Sequence, residues 1–141
     1  MHPQILIVGY GCIGKLCGEV LKAYGYNFEV YDPRFTKEVN SKKFNIIFEC
    51  SGESKALEPY LSIKGSTILL FGFEYNNIDP SVLSSNEITM IGTLGSSKHD
   101  FEAAVNIMKC INPAFFYVYP FDEFRRGMSL SRLGNKIIFE H

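Results

Sequence analysis

At 141 residues the chain has room for one domain and a full packed core, since a soluble domain of about this size buries roughly two-thirds of its chain surface. Hydrophobic residues make up 46% and charged residues 21%, a balance that excludes wholesale disorder. Fourteen Lys+Arg stand scattered against fifteen Asp+Glu, which excludes the charge footprint of a nucleic-acid or membrane-surface binder.

The elements alternate between strand-like and helical patterns, as in a parallel sheet covered by helices. Gln4–Val8 is a near-continuous apolar run of the kind buried on both faces. It ends at Gly9. Ile13, Leu16, Cys17, Val20, Leu21 and Tyr24 then form one apolar helical stripe, with Gly25 as the stop. A second strand, Asn27–Tyr31, is closed by Asp32-Pro33, and a third, Asn45–Cys50, by Ser51-Gly52. Ser54–Leu61 reads as a short helix and Ser66–Phe71 as a strand ending at Gly72. Asp79-Pro80 starts another short helix, with Asp79 as its cap. Ile88–Ile91 is a strand, Lys98–Cys110 a helix, and the tail gives strand Phe115–Tyr119, helix Asp122–Leu130 and strand Lys136–Phe139.

No apolar run approaches the roughly 18 residues that a membrane span needs. Met1-His2-Pro3 carries no basic region ahead of an apolar stretch, so a cytoplasmic location is expected. Cys12, Cys17, Cys50 and Cys110 fall at irregular separations without a nearby histidine set. They read as small, buried, reduced thiols, and no metal site is expected.

The chemistry concentrates in Gly9-Tyr10-Gly11-Cys12-Ile13-Gly14, a Gly-x-Gly-x-x-Gly pattern. The pattern alone is weak, but this one follows a strand and opens a helix, the context that a phosphate-binding turn requires. Gly9 allows the tight turn, Gly11 lets a pyrophosphate approach the backbone, and Gly14 lets the helix close on the strand. The free N–H groups of the helix start then face the phosphates. Asp32, 18 residues after Gly14, ends the second strand, where a carboxylate accepts from ribose hydroxyls. Like-charge repulsion of a 2′-phosphate makes NAD(H) the expected cofactor over NADP(H). Arg34 pulls the other way, because a guanidinium there can pair with that phosphate.

With these residues the chain resembles the cofactor domain of the medium-chain dehydrogenase/reductase family, the zinc alcohol dehydrogenase group. The resemblance extends through Asn45–Gly52, Ile63–Gly72, Ile88–Ser97 with the Asp100-Phe101 helix, and Gly134–Glu140, in order. It implies an α/β, doubly wound, mostly parallel Rossmann-like sheet with helices on both faces. Residues 1–141 then form a single NAD(P)-binding domain, of which 113–141 is a strand-helix-strand extension. Ser51, Gly52, Gly72 and Phe73 join the cofactor site, and Gly72, Phe73 and the Gly92–Gly95 turn flank its nicotinamide end.

The chain departs from the family in two places. Only Pro33–Phe44 separates the Asp32 strand from the next, so one outer strand is expected to be missing. The family's catalytic domain, with its zinc ligands and proton relay, is not matched, and no catalytic residue is assigned. His99-Asp100 reads as a solvated or capping pair, and Ser51, Ser96 and Ser97 have no evident base. The function expected is the NAD(H)-binding domain of an oxidoreductase, working with a separate catalytic domain or subunit. A nucleotide-sensing regulatory module and a cofactor-free interaction domain stay open as alternatives. The resemblance implies that two such domains pair through the short apolar strand at Ile88–Ile91, and Phe115, Phe116, Tyr117 and Tyr119 would otherwise leave an aromatic patch; a homodimer is the expectation, with a tail folded back on its own sheet as the alternative.

Overall fold

The computed structural model describes residues 3–36, 40, 43–72, 75–76, 78–111, 114–132 and 135–141. Strands β1 (Ile5–Val8), β2 (Phe28–Tyr31), β3 (Ile46–Glu49), β4 (Thr67–Leu70) and β5 (Thr89–Gly92) form one all-parallel sheet in the order β2-β1-β3-β4-β5. The helices are α1 (Cys12–Ala23), α2 (Ser54–Leu57), α3 (Pro80–Ser85), α4 (Lys98–Met108) and α5 (Phe124–Ser131). The α/β, Rossmann-like class expected from the sequence is the class found. Among the described residues no strand lies outside β2, in agreement with the missing outer strand.

The β1 strand lies inside the sheet, between β2 and β3, and every one of its residues is buried. Its two faces look into different cores. Leu6 and Val8 pack with Ile47, Ile68, Leu57 and Tyr60, on the side that α2 covers. Ile5 and Ile7 pack with Leu21 and Cys17 of α1 on the other. Helices therefore cover both faces, and the unbroken apolar run of β1 is what burial on both sides demands.

Several local expectations need correction. The buried line of α1 runs through Gly14, Gly18 and Leu21, while Ile13 and Tyr24 are exposed. The helix has rotated toward its glycines because only they allow so close an approach. A Cβ on Gly18 would stand 3.0 Å from Phe28 Cζ. The helix at Ser54–Leu61 stops being α-helical at Leu57 and finishes as a single 3₁₀ turn, Glu58–Tyr60. Pro59 lacks the N–H that an α-helix would bond to the preceding turn. Cys12, Cys17 and Cys50 are half-buried and Cys110 is exposed; all four are free thiols.

Capping chemistry sets the later helices. Asp79 accepts from Ser81 N–H at 2.8 Å ahead of Pro80. Ser97 and Asp100 form a reciprocal capping box at the start of α4, which gives Asp100 a structural partner. The α4 helix buries none of its residues. In the tail, β6 (Phe116–Pro120) and β7 (Lys136–Glu140) make a separate two-stranded parallel sheet joined through α5. Gly127 of α5 sits directly on that sheet, where a Cβ would stand 2.7 Å from the Phe139 ring. The aromatic tail is less exposed than expected. Phe115 is buried, edge-on to Phe116 and beneath the Lys15 ammonium of α1, while Tyr117 stays exposed.

Candidate functional site

Register brings the site together. Val8 pairs with both Tyr31 and Glu49, Glu49 with Leu70, and Leu70 with Gly92. All five strands thus end on one row, and the segments that follow them emerge along one rim. The chain passes from β1 through α1 to β2 on one side, then crosses to β3 on the other. Such a reversal opens a crevice at the carboxyl ends of the two strands beside it. Here that crevice lies between the segments after β1 and β3.

The Gly9–Gly14 turn fills its floor. Gly9 has φ +82°, its N–H donates to Tyr31 O at 2.8 Å, and a Cβ on it would stand 2.7 Å from Ser51 N. Gly14 is tighter still, since a Cβ there would stand 2.1 Å from Gly9 O. Gly11 differs from both: a Cβ on it would have no heavy atom within 4 Å. Gly11 is also the N-cap of α1, with no side-chain hydrogen bond capping the helix and no acidic residue in its first turn. A 12-residue helix with an uncapped start directs partial positive charge into the space above Gly11.

Asp32 closes one end of the crevice. Its side chain is 4% exposed, while that of Arg34 is 55% exposed. Oδ2 accepts from Tyr10 N–H at 2.8 Å and Arg34 Nη2 at 2.6 Å; Oδ1 accepts from Arg34 N–H at 3.1 Å and Nε at 2.8 Å. The guanidinium, aided by the Tyr10 and Arg34 amides, holds the Asp32 carboxyl well below the usual carboxylate range. Because the folded-state pKa is depressed, the stability it contributes is complete above about pH 3.9 and is lost as pH falls toward that lower value.

A cleft of about 500 Å³ opens between these parts, lined by Gly9, Gly11, Asp32, Arg34 and Ser51 among the expected site residues. Lys55 and Glu53 also line it, and neither was visible in a motif. Tyr10 of the turn and Cys12, Ile13 and Gly14 of the first turn of α1 stand beside the cleft without lining it. Phe73 lies outside the described residues.

Ser51, Gly52 and Gly72 are organised by a residue that motif reasoning left out. Glu49, fully buried at the end of β3, accepts from Ser51 N–H at 2.9 Å, from Gly52 N–H at 3.2 Å, and from the Ser51 and Tyr75 hydroxyls. Tyr75 Oη in turn accepts from Gly72 N–H at 3.2 Å. Burial and the neighbouring carboxylate push the Tyr75 hydroxyl up, which keeps it a donor. One carboxylate therefore ties the segments after β3 and β4 together. Those segments touch: Gly52 has φ +75°, and a Cβ on Gly72 would stand 2.4 Å from Gly52 Cα. The Tyr75 partner of Glu49 lies 26 residues away along the chain.

The rim geometry, the glycine turn and the acid that follows β2 define a Rossmann-like α/β fold with an open helix start at its switch point. No protein-family model matches the chain. Glucose 1-dehydrogenase of Metallosphaera sedula is 26% identical over 129 residues, covering 73% of this chain and 36% of that protein. L-idonate 5-dehydrogenase of Escherichia coli superposes with a TM-score of 0.77 at 16% identity, over 100% of this chain and 51% of its own. Acetophenone reductase of Geotrichum candidum, solved with NAD, gives 0.78 at 17% identity, over 99% of this chain and 48% of its own. The structural neighbours are thus alcohol-dehydrogenase-like proteins, and the chain has the fold of about half the length of each.

Proposed function

We propose that residues 1–141 form a nucleotide-binding domain that holds NAD(H) for an alcohol- or polyol-dehydrogenase-like oxidoreductase. The observation that carries this reading is the open position above Gly11, at an uncapped helix start beside the Asp32 cleft. The group fits these residues. The α1 N–H groups and dipole would bind the pyrophosphate, Asp32 would accept from the adenosine ribose, and the Ser51-Gly52 and Gly72 segments would border the nicotinamide end. Bound, the nicotinamide supplies a hydride donor or acceptor. This chain's share of the work is to bind and orient. Polarising the substrate and relaying its proton fall to a separate catalytic domain or subunit. A cytoplasmic location and a preference for NAD(H) over NADP(H) belong to the same proposal.

Thermal unfolding with and without NADH tests it. A ligand that binds only the folded chain stabilises it by mass action, by about 2.7 kcal/mol at 100 times its Kd. The unfolding temperature should rise with NADH concentration, and Asp32→Ser should remove most of that rise. A parent whose unfolding is indifferent to millimolar NADH contradicts the reading.

Assembly is proposed at the β5 end of the sheet, beyond which no strand pairs among the described residues. The β5 strand is the sheet's last strand, and Ile91 is 43% exposed on it; an unpaired apolar edge is one that proteins usually hide. Light scattering at micromolar concentration is expected to give a dimer of the 16.0 kDa chain, and Ile91→Glu to dissociate it. A monomeric parent removes the dimer, and a dimer that survives Ile91→Glu removes this edge.

A further inference from the structure

The acceptor at the ribose corner is already full. A carboxylate offers about four lone-pair sites, two on each oxygen. Asp32 uses all four: Tyr10 N–H and Arg34 Nη2 on Oδ2, Arg34 N–H and Nε on Oδ1. A ribose diol arriving at this corner finds no free acceptor while the guanidinium stays in place.

The two kinds of donor differ in what can move. The Tyr10 and Arg34 amides are fixed in the backbone, and each occupies one site on one oxygen. The guanidinium holds the other two sites, one on each oxygen, from a side chain that is 55% exposed. Its Cζ already lies 5.8 Å from the Phe35 ring centroid, a cation–π distance that gives it somewhere to go. If it swings away, exactly the pair of sites that a vicinal diol needs is released, one acceptor per hydroxyl. A 2′-phosphorylated ribose meets the opposite situation: it carries no diol to satisfy, and its negative charge is drawn to the same guanidinium.

We infer that Arg34 is a specificity-determining residue that competes with the ribose diol for Asp32, weakening NADH binding and supporting NADPH binding. This rests on the dinucleotide reading of the cleft. Arg34 acts as an internal cap on the carboxylate, so the cofactor preference of the corner is set by a pair, with Asp32 favouring NADH and Arg34 offsetting it. Loss of the guanidinium should therefore move the two affinities in opposite directions, which a merely structural salt bridge would not do.

Fluorescence titration of the full chain with NADH and NADPH tests this in Arg34→Met, which keeps the aliphatic stem and removes every donor. NADH is expected to bind roughly tenfold tighter than to the parent, the factor that about 1.4 kcal/mol of relieved competition gives, and NADPH to bind more weakly. Arg34→Gln, which leaves the buried carboxylate one neutral donor and keeps the variant folded should Arg34→Met fail, is expected to shift both affinities the same way by less. Unchanged or weaker NADH binding to these variants, with Gly11→Val still blocking it, overturns the role of Arg34 and leaves the cleft reading standing. If neither dinucleotide binds the parent or any variant, the cleft reading fails and this inference with it.

Discussion

Gly11→Val is expected to weaken NADH binding by at least about 100-fold, some 2.8 kcal/mol, in a chain that still folds. The two halves of that result have separate causes. Gly11 has φ −76° and ψ −157°, a conformation open to any residue, and a Cβ there meets no protein atom within 4 Å. The fold loses only a favourable N-cap residue, a cost of about 1 kcal/mol. The space that Val would fill is the space above the α1 start, where the pyrophosphate must reach the backbone. Calorimetric titration beside a thermal melt separates the effects, and unchanged NADH affinity in the variant would take the glycine turn out of the account.

Gly14→Ala should do the reverse and damage the fold first. A Cβ at Gly14 would stand 2.1 Å from Gly9 O and 3.3 Å from Ile7 Cγ2. The first of these is backbone, locked in place by the Gly9 N–H bond to Tyr31 O, so α1 must move off β1. Overpacking of this kind costs about 3 kcal/mol at the upper end of its usual range, or roughly 10 °C in unfolding temperature for a domain of this size. Gly92→Ala is the matching control, because a Cβ there has no neighbour within 4 Å; its effect should stay within about 0.5 kcal/mol. Chemical denaturation of both variants measures the contrast.

Much of the fold was legible because its signals are local. The β1 strand announces itself as an unbroken apolar run, and Asp79-Pro80 marks a helix start through capping chemistry that involves only near neighbours. The α1 helix was legible as a helix but not in its rotation. Hydrophobic periodicity weights Ile13 and Tyr24, whereas the contact that decides the rotation is made by Gly14 and Gly18, which carry no hydrophobic weight. The tail misled for a related reason: nothing in Phe115 itself says that Lys15 and α1 will cover it.

The site divides the same way. The Gly9–Gly14 turn and Asp32 are spaced by a local rule and could be read directly. Glu49 could not, since its role depends on Tyr75 and on the register that sets β3 beside β4. Arg34 stands between the two cases. Its presence near Asp32 was plain, and a tie to phosphate was foreseeable. That its fork takes two of the carboxylate's four acceptor sites is a matter of side-chain geometry, which no spacing encodes.

Residue-resolved amide shifts during an NADH titration test the central claim most directly, because they report where the dinucleotide sits. Resonances of Tyr10, Gly11, Cys12 and Ile13 are expected to move together and saturably, with Asp32 and Ser51 following, while Tyr117 and Ile138 of the two-stranded sheet stay still. Amides of Gly11–Ile13 that remain unmoved at millimolar NADH would contradict it.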